Sequence, residues 1–182
     1  MKSTLLAALL VGVTVALMAW ACAIAPALVA PPDRLALAST VSLGGHCHAV
    51  AIAPGRLLTA SHCVDPAMRV GGVAAYLESF APIRDLALLR VALDFPIARV
   101  RLPRFGERVR VVHLMCPAPP CVGEGRVEYV SAMWLEAALD WPCDRGMSGS
   151  GVWGTDGALV GIVKSLGTTT GRTYFATLPV QH

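Results

Sequence analysis

The stretch "CDRGMSGSGVWG", Cys143 to Gly154, sets two serines, Ser148 and Ser150, among four glycines. Glycine reaches backbone conformations that a Cβ forbids. Such a run is therefore either a flexible turn or a strained one that holds a serine open for chemistry. Glycine–serine turns are common loops, so the run alone does not choose between these readings. The rest of the chain has to.

Two upstream stretches bear on the choice. In "LLTASHCVD" (Leu57–Asp65) an apolar strand delivers His62 at its end, with Cys63 next. In "RDLALLRV" (Arg84–Val91) Asp85 stands just before a strongly apolar strand. Taken singly, each is an ordinary strand-end residue. In the order His, Asp, Ser they acquire a joint chemistry. A serine hydroxyl is a poor nucleophile until a neighbouring base takes its proton. Histidine suits that role because it titrates near neutrality. A carboxylate then fixes the imidazole tautomer and stabilises the imidazolium that forms.

Around these motifs the pattern is short apolar or alternating runs broken by Gly, Pro and Asp, without long helical periodicity. Strands are expected at Leu37–Leu43, Cys47–Ala53, Arg56–Ser61, Met68–Val73, Tyr76–Phe80 and Leu86–Val91. After the linker "LPRFGER" (Leu102–Arg108) they are expected at Val109–Met115, Arg126–Ala132, Met133–Leu139, Gly151–Gly154, Ala158–Ser165 and Tyr174–Leu178. "APGR" and "GTDGA" read as hairpin turns. Short strands at this spacing indicate an all-β sandwich or barrel, and the tally is six strands, a linker and six strands. No repeat of the sequence itself is visible.

From Val41 to Val180 the chain resembles the chymotrypsin-like (trypsin-fold) serine peptidases. "TASHC" looks like the family's histidine motif, "DLALLRV" like Asp-Ile-Ala-Leu-Leu, and "GMSGSGV" like Gly-Asp-Ser-Gly-Gly-Pro. "ALVGIVKSLG" (Ala158–Gly167) is similar to the strand that ends in Ser-Trp-Gly and pairs with bound substrate. "TYFATLPV" and "FGERV" are similar to segments of the bacterial high-temperature-requirement branch. The resemblance implies two antiparallel six-stranded β-barrels, the first about 37–101 and the second about 108–182, with the site in the cleft between them. It makes Ser148 the nucleophile, His62 the general base, Asp85 its orienting partner, and the amides of Gly146 and Ser148 the oxyanion hole. Substrate would pair along Ser165, Leu166 and Gly167. The family's disulfide beside the histidine is matched by Cys47–Cys63.

The chain departs from the family at several points. Met147 stands where the animal digestive enzymes carry an aspartate that pairs with a freed N-terminus, so activation by N-terminal insertion is not expected. Ser150 and Gly151 replace the usual Gly-Pro, and Ser150 is read as a turn residue or backbone hydrogen-bonder. Lys164 interrupts the substrate strand: either it occupies the family's serine position, or Ser165-Leu166-Gly167 do after a one-residue bulge. Pro142, six positions before Ser148, replaces the aspartate that would favour cleavage after Lys or Arg. Arg145, Lys164 and Arg172 are read as solvated charges rather than a pocket for acidic side chains. His46 and His48 have the spacing of a metal pair, but no third ligand is apparent, and a cleft-wall or surface pair is expected. No metal and no cofactor are expected.

The N-terminus speaks to compartment. Thirty uncharged residues separate Lys2 from Asp33, where about 20 suffice to span a bilayer and a secretory h-region needs about 7–15. Residues 1–32 are thus a signal anchor or a cleaved signal peptide, with acylation of Cys22 as a third route. Each places the 34–182 peptidase domain outside the cytoplasm, secreted, periplasmic or anchored. Five of the six cysteines lie in that part. The odd number leaves one unpaired or intermolecular. Either Cys116–Cys121 closes a small loop, the arrangement favoured here, leaving Cys143 free, or one of the two pairs with Cys143. Thirteen arginines and two lysines are scattered singly, and the net charge is only +3. That argues against a nucleic-acid groove. The expected partners are a polypeptide substrate and, if the leader is retained, the membrane; a monomer is expected. The chain thus reads as an exported serine endopeptidase, with a catalytically silent binding module on the same fold as the alternative.

Overall fold

In the computed structural model, residues 31–44, 46–114, 121–131, 136–139, 146–167 and 172–177 are described. The apolar leader, Pro142, Arg145, Cys116 and Cys143 lie outside them. Where a strand was expected from Leu37, the chain forms helix α1 (Pro31–Ser39), and the strand begins only at Thr40. "LALAS" is too short to declare a period. The deciding signal is the Pro31-Pro32 pair, which starts a helix well because first-turn amides have no intrahelical acceptor. The Thr40 hydroxyl donates to the Ala36 carbonyl at 2.6 Å and closes the last turn.

Two six-stranded units follow. The first contains β1 (Thr40–Leu43), β2 (Cys47–Ala53), β3 (Arg56–Thr59), β4 (Arg69–Val70), β5 (Val73–Ala81) and β6 (Leu86–Val91). The second contains β7 (Arg108–His113), β8 (Cys121–Ser131), β9 (Glu136–Leu139), β10 (Gly151–Gly154), β11 (Leu159–Gly167) and β12 (Arg172–Thr177). Neighbour order in the first is β1-β2-β3-β6-β5-β4, and in the second β7-β8-β9-β12-β11-β10, closed into a barrel by the β10–β7 pair. The two halves therefore share one antiparallel topology that the sequence did not reveal as a repeat. In the first unit β1 and β4 approach each other, bringing the ends of the sheet together. Strand β8 starts five residues earlier than expected. Gly123 and Gly125 weaken its strand signal, yet pairing with β7 from His113–Cys121 onward carries it.

Each unit has its own apolar core, built around Leu43, Leu57, Leu89 and Val91 in the first and Val111, Val127, Leu139 and Phe175 in the second. A third core joins them: Val50, Leu58 and Leu86 from the first unit meet Val112, Trp153 and Leu159 from the second, with Ala36 of α1 wedged among them. Burying a side chain of this size contributes roughly 1.5–3 kcal/mol, so the contact between the units is a core and not a hinge. The crossing segment is stitched to both sides. Ala98 N–H donates to the Ala51 carbonyl at 2.9 Å, and Arg101 N–H to the Leu159 carbonyl at 3.0 Å. The Arg101 guanidinium bridges Glu107 and Asp156 at 2.8 and 3.0 Å, which holds the Asp156 carboxyl down at about 2.

Candidate active site

Strand β3 ends at Thr59, and the chain turns through one 3₁₀ turn, Ser61–Cys63, that carries His62. The turn is pinned covalently: Cys63 is bonded to Cys47 at the start of β2, with Cα atoms 5.9 Å apart. A His62 ring nitrogen and the two sulfurs lie within 4.8 Å of one another. Because the sulfurs are bonded to each other, this cluster offers no thiolate to a metal.

Asp85 caps a second 3₁₀ turn, Pro82–Arg84, in the left-handed region at φ 52 and ψ 46. It is the single non-glycine residue with positive φ among the described residues. Aspartate tolerates this region better than most side chains, at a cost of roughly 1–2 kcal/mol. Two main-chain bonds hold it there, Asp85 N–H to the Pro82 carbonyl at 3.0 Å and Ser61 N–H to the Asp85 carbonyl at 3.1 Å. The strained backbone aims the carboxylate back at the His62 turn. Its Oδ2 lies 2.8 Å from His62 Nδ1. Its Oδ1 accepts from His62 N–H at 3.1 Å and from the Ser61 hydroxyl at 2.7 Å. With Nδ1–H committed to a carboxylate, Nε2 is left as the acceptor of the ring.

The glycine-rich turn before β10 is tied down from below. Gly149 N–H donates to the Val163 carbonyl at 2.8 Å and Ser150 N–H to the Met147 carbonyl at 3.0 Å. Neither the Gly146 nor the Ser148 amide donates to another described residue. Gly146 and Gly149 take φ of 89 and 80. The two serines separate cleanly: Ser148 is half-buried, whereas Ser150 is fully buried. Ser150 bonds through its main chain only, and its hydroxyl has no hydrogen-bond partner. Met147 is also fully buried, in the second unit's core with Val109, Val152 and Phe175.

Ser148 is fastened to the other half of the site through β2. His48 N–H donates to the Ser148 carbonyl at 2.8 Å, and His48 follows Cys47, which is bonded to the neighbour of His62. The serine turn and the histidine turn are thus anchored on two successive residues of β2.

The expected substrate strand is β11. Its register against β12 shifts between Val163 and Ser165, so Lys164 sits in a bulge and Ser165-Leu166-Gly167 resume the ladder. The bulge belongs to the second of the two sequence alternatives. Ser165 is exposed, and Asp85 takes its side-chain hydrogen bonds from Ser61 and His62. Arg172 is paired with Glu128 at 2.7 Å. Cys121 is disulfide-bonded, with its partner outside the described residues.

One residue escaped the sequence reading and another was placed differently. Ser61 was a detectable one, since it stands directly before His62. His48 was read with His46 as a cleft-wall or surface pair, and here the structure corrects the reading. His46 is exposed, but His48 is fully buried, with Nε2 accepting the Leu114 N–H at 3.0 Å. It points between the units because β2 alternates, and the inward face at that position is closed by β7 and the serine turn.

Comparison with known proteins agrees with this architecture. The model of the trypsin-like peptidase domain family matches residues 47–162. No curated protein matches the chain. Among solved structures, a serine endoprotease from Yersinia pestis is similar with a TM-score of 0.67 at 18% identity, over 82% of this chain and 63% of that one. This chain thus spans less than two thirds of the Yersinia structure. The Rv3671c protein of M. tuberculosis H37Rv, in an inactive mutant form, gives 0.66 at 17% identity over 81% of this chain and 84% of that one. A second inactive form of that protease gives 0.63 at 18% identity, over 81% and 87%. At these identities the likeness speaks for the fold.

Proposed function

The chain belongs to the trypsin-like peptidase domain family, and from that premise we propose that it is a serine endopeptidase acting through Ser148, His62 and Asp85. The observation that carries the proposal is the 2.8 Å contact between Asp85 Oδ2 and His62 Nδ1. In that arrangement His62 Nε2 takes the Ser148 proton as the hydroxyl attacks a peptide carbonyl. The tetrahedral oxygen is received by the amides of Gly146 and Ser148, which have no internal acceptor among the described residues. Such a donor contributes about 10²–10³-fold in rate. His62 then gives its proton to the leaving amine, and water, activated by the same imidazole, releases the acyl group from Ser148.

Burial of Met147 supports a turn that forms with the fold, without waiting for a freed N-terminus. Accessible Ser148 against buried Ser150 supports the choice of nucleophile. The bulge at Lys164 supports substrate pairing along Ser165, Leu166 and Gly167. Beside Ser61 an open hollow lined by Val64, Pro66, Met68, Leu77 and Phe80 suits an apolar substrate side chain. The Cys47–Cys63 bridge favours an oxidising compartment, in keeping with export by the leader as a secreted or tethered enzyme.

The test is fluorophosphonate labelling of residues 31–182 produced in an oxidising compartment. Labelling should vanish in Ser148→Ala and persist in Ser150→Ala. A folded wild-type protein that never labels would overturn the proposal in favour of a catalytically silent binding module.

A further inference from the structure

A buried histidine lies against the serine turn, and the reaction scheme above gives it no task. His48 has no exposed surface. Its Nε2 accepts the Leu114 N–H at 3.0 Å, so the ring proton resides on Nδ1 in the neutral form. Nδ1 is buried without a hydrogen-bond partner. The ring of His113, at the end of β7, meets it edge-on with centroids 6.5 Å apart. Burial first, and His113 second, push the pKa of His48 down to about 4, while the backbone of Gly146 and Ser148 near the ring opposes the shift.

A buried polar group left short of a partner costs about 1–3 kcal/mol, so an apolar side chain would fill this space more favourably. What the imidazole adds is its position. The main chain of His48 holds the turn from one side: its N–H donates to the Ser148 carbonyl at 2.8 Å, and its carbonyl is fixed by the Thr59 hydroxyl at 2.6 Å. Its ring is held to the second unit by the Leu114 N–H. Peptide groups are planar, so holding the Ser148 carbonyl fixes the peptide immediately after the one that carries the Ser148 amide. Met147, one residue before Ser148, is fully buried and anchors the other side.

We propose that His48 is a positioning residue for the Ser148 turn: its neutral imidazole, held by the Leu114 amide, fixes the point on β2 whose N–H holds the Ser148 carbonyl, and so keeps the turn, with its Gly146 and Ser148 amides, directed at the substrate carbonyl. The inference rests on the peptidase reading of Ser148 and adds to it a residue outside the triad.

Two variants separate positioning from packing. His48→Phe keeps a ring and removes the acceptor for Leu114; His48→Gln keeps an acceptor. The limiting fluorophosphonate labelling rate of the folded fraction should fall on the order of ten- to a hundredfold in His48→Phe. The half-saturating probe concentration should change little, and His48→Gln should recover the rate to within a few-fold. Equal limiting rates in wild type and His48→Phe, whatever their melting temperatures, would overturn the proposal, as would a His48→Gln variant as slow as His48→Phe.

Nitrogen-15 spectra give a readout independent of reactivity and of the Phe variant's folding. The wild-type His48 ring should show a protonated Nδ1 and a bare Nε2; the reverse tautomer would overturn the proposal. If wild type itself never labels, the peptidase reading fails on its own. The positioning role is then judged by the Gly146 and Ser148 amide resonances, which must move in a variant lacking the acceptor and stay near wild type in His48→Gln.

Discussion

Replacing Gly149 by alanine should pull the serine turn away from β2. An added Cβ would lie 1.8 Å from the His48 carbonyl oxygen and 2.6 Å from the Thr59 hydroxyl, at a backbone φ of +80. Ordinary contact needs about 3.5 Å, so turn and strand must part by roughly 1.5 Å or more. The left-handed backbone alone costs an alanine about 1–2 kcal/mol. Parting the elements breaks the His48 N–H bond to the Ser148 carbonyl, and displaces the Thr59–His48 and Gly149–Val163 bonds. At about 0.5–1.5 kcal/mol each, the total loss is roughly 2.5–6.5 kcal/mol. For a domain of this size that lowers Tm by about 5–26 °C. A displacement of this kind also costs on the order of 10²-fold in reactivity. The internal control is Gly106→Ala, at φ +77 with nothing within 4 Å of the added Cβ, which isolates the backbone cost and should lower Tm by only a few degrees. Thermal melts followed by circular dichroism, with fluorophosphonate labelling of the folded fraction, measure both effects. A Gly149→Ala protein that melts with Gly106→Ala and labels at the wild-type rate would refute the close approach of the turn to β2.

Removing the Ser61 hydroxyl with Ser61→Ala takes one of three hydrogen bonds from the Asp85 carboxylate. The labelling rate should fall about three- to tenfold with Tm lowered by less than about 1.5 kcal/mol equivalent, and a parallel measurement of rate and melting checks it. The paired substitution Cys47→Ala, Cys63→Ala opens a loop of sequence separation 16. By loop-closure entropy this should cost about 3 kcal/mol, read as a shift of the denaturation midpoint. Acid should destabilise the fold through His48, whose pKa is about 4 when folded against 6.5 otherwise. Between these values the unfolded chain binds a proton that the folded chain refuses. The contribution is therefore complete above pH 6.5, declines as pH falls toward 4 and is then spent, a span of at most roughly 3 kcal/mol. Among the described residues, the groups acting on the ring are His113, the Leu114 amide and the backbone of Gly146 and Ser148, and no carboxylate is among them to offset the charge. Melting temperatures from pH 7 to pH 4 should fall more steeply in wild type than in His48→Gln.

What could be read from the chain, and what could not, divides by the range of the interactions involved. Alternation and turn residues are local, so seven of the twelve strands begin and end within two residues of their expected positions, and the hairpin glycines Gly55 and Gly157 have the positive φ their turns require. The three candidate motifs were equally legible, because each is a contiguous stretch of sequence. Helix α1 was missed because "LALAS" is too short to show a period, and nothing in it reports that Ala36 seats in the core between the units. The early start of β8 was missed because two glycines mask a strand that pairing with β7 sustains.

By itself the sequence determined a mostly β chain of two six-stranded halves and singled out three residues as candidates for its chemistry. The tertiary structure alone decided how those residues are held: Asp85 in a left-handed turn braced by Ser61, and Ser148 fastened through His48 to the strand whose Cys47 grips the histidine turn. It also separated the two serines, sending Ser150 inward and leaving Ser148 half-buried. The reason is physical. Burial and hydrogen bonding across 66 residues, as between His48 and Leu114, depend on which faces meet when two units close. A local pattern shows a strand's faces but not what will be pressed against them.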